Sequence, residues 1–316
     1  MKLSSKSIIS LVIPVYNEAL SLEWHHQQIN EYLSSKAFKY EVVYVDDGST
    51  DESLEIIKSL TKDDKTVSYV SFSRNFGKEA ATAAGLKKAR GDVVIMIDAD
   101  GQHPVGLIDT FLEKWEEGYD IVVGVRKSNT GEGLIKRMGS RLFYFLLYLI
   151  NRDTDSIPGS TDFRLLDRTV VEEYSHFTER NRVTRNLIDW LGFKRAIVPF
   201  ASPARHAGKA NYTYRKLLKL ALDGLISHST RPLKFIGLLG IFTSTFSVFG
   251  ALGLIIDKYV LNDPLNLAVS GVAILALFLS FLVGIVLVCQ GLLALYLENV
   301  YHETQNRPLY VIKEQG

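Results

Sequence analysis

Apolar and polar positions alternate in blocks along the first 125 residues. Five short runs rich in apolar and β-branched residues, at 8–13, 40–45, 67–72, 93–97 and 121–125, have the length of buried strands. The intervening stretches carry helical spacing. Residues 20–35 form one such stretch. In a second, Ser49 or Thr50 caps a helix that holds Leu54, Ile57 and Leu60 on one face. Ala80 to Ala89 is a small-residue helix stopped by Gly91. Strands alternating with helices predict an α/β domain with a largely parallel sheet.

Each predicted strand empties into a polar cluster. Asn17 and Glu18 follow the first, Asp46 and Asp47 the second, Arg74 and Lys78 the third, Asp98 and Asp100 the fourth, and Arg126 the fifth. In open α/β sheets the ligand crevice lies at that carboxyl edge. The carboxylates suit a metal or the hydroxyls of a ribose, and the cations suit a diphosphate. At a strand end alternate side chains point the same way, so Asp98 and Asp100 are expected to face one ligand. With the amide oxygen of Gln102 they suit a hard divalent cation. Asp-Ala-Asp-Gly is equally ordinary turn chemistry. No dinucleotide fingerprint follows the first strand and no phosphate-binding Gly-Lys-Ser/Thr loop occurs, which counts against a nicotinamide enzyme and a P-loop NTPase. None of the histidines has a partner motif for metal or catalysis.

After Arg126 the pattern changes. Ser128 to Gly133 is a polar loop and a candidate lid. A basic start at Lys136, Arg137 and Arg141 leads an aromatic helix over about 135–150, which suits either the core or a membrane interface. Asp162 falls in a predicted loop, as a helix N-cap or a site residue. Asp167-Arg168 reads as a turn or a first-turn ion pair. A basic loop, Ala204 to Thr213, precedes an amphipathic helix at about 214–229 that suits the surface of a leaflet.

Charge then nearly vanishes. Residues 235–256 and 264–297 contain no charged side chain, and each run exceeds the roughly 20 residues that cross a bilayer. Two transmembrane helices, at about 235–256 and 267–297, are expected to form a hairpin. Basic residues outside the short 257–263 loop put both ends in the cytosol. The expected organisation is a cytosolic domain at 1–231, membrane helices within 232–300 and a cytoplasmic tail at 301–316. The apolar stretch from Ile8 to Val12 is too short for a signal core, so the polar part is expected to stay in the cytosol. Gly237, Gly240, Gly250 and Gly253 would permit close helix packing in a homo-oligomer. A net charge of +1 gives no electrostatic case for nucleic acid, and a lone cysteine, Cys289, excludes an internal disulfide.

Pro14-Val15-Tyr16-Asn17-Glu18, Asp46-Asp47-Gly48-Ser49, Asn75-Phe76-Gly77-Lys78, Asp98-Ala99-Asp100-Gly101-Gln102-His103-Pro104 and Gly124-Val125-Arg126 resemble, in order and spacing, the signatures of family 2 glycosyltransferases of GT-A fold. With the C-terminal apolar segments and the ending Arg307-Pro308-Leu309-Tyr310, the chain resembles the polyprenyl-phosphate glycosyltransferases. It looks close to the bactoprenol glucosyltransferases and related to the dolichol-phosphate mannose synthases.

The resemblance implies inverting transfer of a sugar from a nucleotide diphosphate to a polyprenyl phosphate at the cytoplasmic membrane. UDP-glucose is the favoured donor; GDP-mannose, UDP-N-acetylglucosamine and a UDP-aminopentose are alternatives. It places Pro14, Tyr16, Asn17, Glu18, Asp46, Asp47 and Asp98 on the nucleotide. Lys78, Arg126 and Arg205 clamp phosphates. Asp98, Asp100 and Gln102 hold Mg²⁺ or Mn²⁺. Asp100 and Asp162 serve catalysis, Asp162 near the acceptor, and Lys136, Arg137 and Arg141 gather the lipid phosphate. In one loop the family's usual Gly-x-Ser-Lys-Tyr is replaced by Gly208-Lys209-Ala210-Asn211-Tyr212. Two rival readings are a processive polysaccharide synthase of the same fold, whose Gln-x-x-Arg-Trp motif is absent here, and a non-catalytic membrane-anchored partner protein.

Overall fold

A computed structural model describes residues 7–127, 157, 159–180, 182–202 and 271–316, with isolated helical positions at 242, 245, 249 and 256. The chain divides into two units. The first comprises Met1–Arg137, Asp153–Asn211 and Arg307–Gly316; the second comprises Met138–Arg152 and Tyr212–Asn306.

The first unit is built on one eight-stranded sheet. In chain order its elements are β1 (Ile8–Val15), α1 (Ala19–Ser34), β2 (Lys39–Asp46), α2 (Ser53–Asp63), β3 (Val67–Phe72), α3 (Lys78–Lys88), β4 (Val93–Met96), α4 (Leu107–Glu116) and β5 (Ile121–Arg126). They continue with β6 (Ser160–Asp167), α5 (Arg168–Ser175), α6 (Thr184–Trp190), β7 (Arg195–Phe200) and β8 (Ile312–Gln315). The strand order is β7-β5-β6-β4-β1-β2-β3-β8.

All five strands and the three helices between the first four lie where the hydrophobic pattern puts them, but Ser49 and Thr50 do not cap α2: it starts after Glu52, and both residues bond Asn17 instead. The period of two is visible in the core. Ile9, Leu11 and Ile13 of β1 bury into one face with Leu22, Ile29 and Phe111. Val12 faces the other layer with Ala81, Ala84 and Leu86 of α3. The small residues of α3 allow a close approach: a Cβ on Gly85 would lie 2.3 Å from Val12 Cγ1.

The sheet is mixed rather than largely parallel. β6 runs antiparallel to both β4 and β5, and β8 is antiparallel to β3. Ser160–Asp167, expected as a loop, is thus a central strand. Its alternation is hidden by Arg164, which is fully buried. A charge there is tolerated because its guanidinium donates to Asp189 Oδ1 at 2.8 Å and to the carbonyls of Thr161 and Arg185. Asp167 caps α5 by accepting from the Thr169 amide and also accepts from Trp115 Nε1. Arg168 turns away to donate to the Ala89 and Gly91 carbonyls, so the two residues form no first-turn ion pair.

The last ten residues are not a separate tail. They return to the first unit and complete the sheet through β8, whose end is closed by Tyr69 N–H donating to the Gly316 carbonyl. Tyr310 stacks on Phe72 with centroids 4.8 Å apart.

In the second unit α7 (Gly271–Thr304) is a single helix of 34 residues. Among the described residues no helix is long and apolar enough to cross a membrane. The first expected span, the loop after it, its four glycines and both expected interfacial helices lie almost wholly outside the described residues.

Replacing Asp189 with Ala leaves Arg164 buried without its counter-charge. The expected loss is about 3–5 kcal/mol of stability, measured by denaturant unfolding.

Candidate active site

The loops after β1 and β2 are built around each other. Asn17 adopts a left-handed conformation (φ 55°), and its side-chain oxygen accepts from the Thr50 amide at 2.8 Å. In return Asn17 N–H donates to Ser49 Oγ, and Glu18 N–H to Ser53 Oγ. Asp46 and Asp47 are almost fully buried. Asp46 accepts from the Ser49 amide and from Ser71 Oγ. Asp47 accepts from the amides of Phe76 and Gly77, tying β2 to the start of α3. Burial pushes its pKa up, against the pull of those amides. Gly48 is required: a Cβ there would sit 2.3 Å from the Arg74 carbonyl carbon, and its φ is +66°. Asp46 and Asp47 therefore shape the rim with their carboxylates already hydrogen-bonded, and Tyr16 stands exposed beside them.

The chemical centre lies between α3, the end of β4 and β6. Lys78 Nζ is 2.6 Å from Asp98 Oδ1 and 2.8 Å from Asp162 Oδ2. The resemblance assigns Lys78 to donor phosphates; here it bridges two carboxylates. Pro14, Glu79 and Thr184 line the same small cavity. Burial works against the Lys78 charge, but Asp98 and Asp162 outweigh it and raise the pKa. Burial likewise opposes ionisation of Asp162, and Lys78, with Arg185 and Arg164, outweighs it and lowers that pKa. Asp162 is thus a held carboxylate, which makes it a weak base and a good electrostatic partner.

β4 ends at Met96, so Asp98 and Asp100 occupy the turn beyond it and the strand-face argument does not apply. The turn is held by His103, the histidine that follows the carboxylates in the same motif and to which the sequence assigned no role. Its Nδ1 accepts the Asp98 amide at 3.0 Å, and its ring stacks on Phe163 of β6 at 4.9 Å. Burial lowers the His103 pKa, so the ring is neutral with its proton on Nε2. Gly101 (φ +72°) lets the turn lie against Trp24. Asp100 Oδ1 accepts from the Gln102 amide, and Gln102 Oε1 accepts from Arg126 Nη2 at 2.9 Å.

Asp98, Asp100 and Gln102 offer hard oxygen donors of the kind Mg²⁺ and Mn²⁺ take. In this conformation Asp98 is engaged by Lys78 and Gln102 by Arg126. Among the described residues no group of three His, Cys, Asp or Glu side chains converges on one point. Donor chemistry fits a hard cation. Arg205, Lys136, Arg137, Arg141 and the substituted loop at 208–212 lie outside the described residues.

Carboxylates and cations gathered at the carboxyl edge of the sheet mark the ligand crevice of an open α/β protein. The profile of glycosyl transferase family 2 matches residues 10–175. The uncharacterized glycosyltransferase sll0501 of Synechocystis sp. (strain ATCC 27184 / PCC 6803 / Kazusa) is 39% identical over 97% of this chain and 95% of its own. The uncharacterized glycosyltransferase YkcC of Bacillus subtilis (strain 168) is 36% identical over 96% and 93%. The SfII prophage-derived bactoprenol glucosyl transferase of Shigella flexneri is 37% identical over 97% of both chains. The chain belongs to glycosyl transferase family 2 and is a glycosyltransferase.

The bridging lysine has a pH signature. Because the Asp162 pKa is lowered on folding, its ionisation stabilises the fold fully above the unfolded value of about 3.9 and ceases to do so as pH falls through the folded one. In carboxyl ¹³C NMR, Asp162 is expected to titrate below the ordinary aspartate range. Lys78→Met should move that titration upward; an unmoved titration would show that the bridge does not set it.

Proposed function

We propose that the protein transfers a sugar from a nucleotide diphosphate sugar to a polyprenyl phosphate, with inversion, at the cytoplasmic face of the membrane. The observation that carries the reading is the Asp98–Lys78–Asp162 cluster in a chain that aligns over 97% of its length with a bactoprenol glucosyl transferase. UDP-glucose is the proposed donor and glucose the proposed group, supported by the name of that relative. An oxocarbenium-like transition state leaves negative charge on the departing diphosphate, which Arg126 would oppose. A divalent cation, Mg²⁺ or Mn²⁺, held by Asp100 with Asp98 and Gln102, would supply further positive charge there. The acceptor is an anion already: a phosphate monoester has a second pKa of about 6, so no strong base is needed. An ionised Asp162 fits that requirement by positioning the acceptor.

A polyprenol stays in the bilayer, so the site must work at headgroup level. We assign the C-terminal region to membrane anchoring. Its support is the uncharged run from Pro264 to Leu297 and the more than half-exposed Val272, Leu275, Leu279, Phe281, Val283 and Val286 of α7. The proposed hairpin leaves both ends in the cytosol, with the basic residues at 136–141 and 214–219 near anionic headgroups.

The test uses purified full-length protein, undecaprenyl phosphate and a panel of labelled nucleotide sugars, with Mg²⁺ or Mn²⁺. Label from UDP-glucose is expected in the lipid extract. Transfer from another donor would correct the sugar, and transfer from none would sink the reading. Asp100→Ala should lower transfer by at least about 10²-fold with unchanged thermal stability; retained activity would remove Asp100 from the site.

A further inference from the structure

One cation beside the cluster has no assignment from the sequence. α6 packs over β6: the fully buried Arg164 donates to the Arg185 carbonyl at 3.3 Å and pairs with Asp189 on the same helix. Arg164 and Asp162 are two residues apart on β6, so they share a face of the sheet. That brings the first turn of α6 over Asp162. Thr184 lines the cavity with Lys78, Asp98 and Asp162, and its amide is anchored by Glu79 Oε2 at 2.8 Å.

Arg185 is the next residue, and its side chain is exposed. The other cations here are committed: Lys78 to two carboxylates, Arg164 to Asp189, and Arg126 to Gln102. Among the described residues the Arg185 guanidinium has no hydrogen-bond or ion-pair partner. The Arg185 charge reaches Asp162 and helps keep that carboxylate ionised, and a guanidinium with its donors unspent is matched to a planar pair of anionic oxygens.

We infer that Arg185 binds the phosphate of the acceptor, placing one of its oxygens between the guanidinium and Lys78. This rests on the polyprenyl-phosphate reading above and adds a residue to it. The held carboxylate of Asp162 then faces the phosphate across the two cations. Its negative charge disfavours a second phosphate in that place and keeps the diphosphate of the donor on the Arg126 side.

The test compares wild type with Arg185→Gln and Arg185→Lys in detergent. Steady-state transfer is measured while undecaprenyl phosphate and nucleotide sugar are varied in turn. The expected result is a rise of about 10- to 100-fold in the acceptor KM for Arg185→Gln, a smaller rise for Arg185→Lys, and a donor KM unchanged within about twofold. An unchanged acceptor KM, or a change confined to the donor KM, overturns the assignment.

Direct binding of undecaprenyl phosphate and of undecaprenol separates this proposal from the functional one. Wild type that binds the phosphate about 10-fold more tightly than the alcohol, with that preference lost in Arg185→Gln, supports the site even where no donor is transferred. Equal binding of the two lipids by wild type overturns it. Arg185 is exposed, so the variants are expected to melt with wild type; the binding preference is read at a temperature where all three are folded.

Discussion

A single ammonium between two carboxylates organises this site. Asp98 belongs to the turn after β4, and Asp162 to a strand running the other way. Without Lys78 they would repel each other across a half-buried space, because two like charges at short range cannot both ionise cheaply. With it they form a neutralising row that holds three elements together. The cluster is a structural support and a chemical one at once, which is why its members come from distant parts of the chain.

The support extends outward by the same logic. His103 fixes the turn that carries Asp98, and its ring rests on Phe163, the neighbour of Asp162. Arg164, one residue further, pins α6 through Asp189. β6 therefore carries Asp162 beside two residues, Phe163 and Arg164, that lock its surroundings. Asp46 and Asp47 perform the equivalent task on the rim after β2. Their carboxylates are used up on Ser49, Ser71, Phe76 and Gly77, so the rim is preorganised before any ligand arrives. Preorganised dipoles and charges are the economical way to stabilise a transition state, since they need not reorient when charge develops.

How much of this was legible follows from where each signal lives. The first five strands and α1 to α3 are written locally, in runs of apolar residues and in helical spacing. The rim was legible too, because every parallel strand ends at the same edge. β6 was not. Its hydrophobic alternation is broken by Arg164, whose burial is stabilised by Asp189 at a separation of 25 residues. β8 was invisible for a related reason: Ile312–Gln315 has almost no apolar content, and it is a strand only because β3 offers it unpaired backbone groups.

The sequence by itself determined the α/β class, the acidic and cationic composition of the rim, and the family that those motifs mark. These depend on periodicity and on residue types at short spacing. Tertiary structure alone decided that the sheet is mixed, that Lys78 bridges Asp98 and Asp162, that Asp46 and Asp47 face inward, and that the first turn of α6 reaches the cluster through Thr184. Each of those is set by which strands pair and in which direction. Pairing is a long-range choice, and no local pattern encodes it.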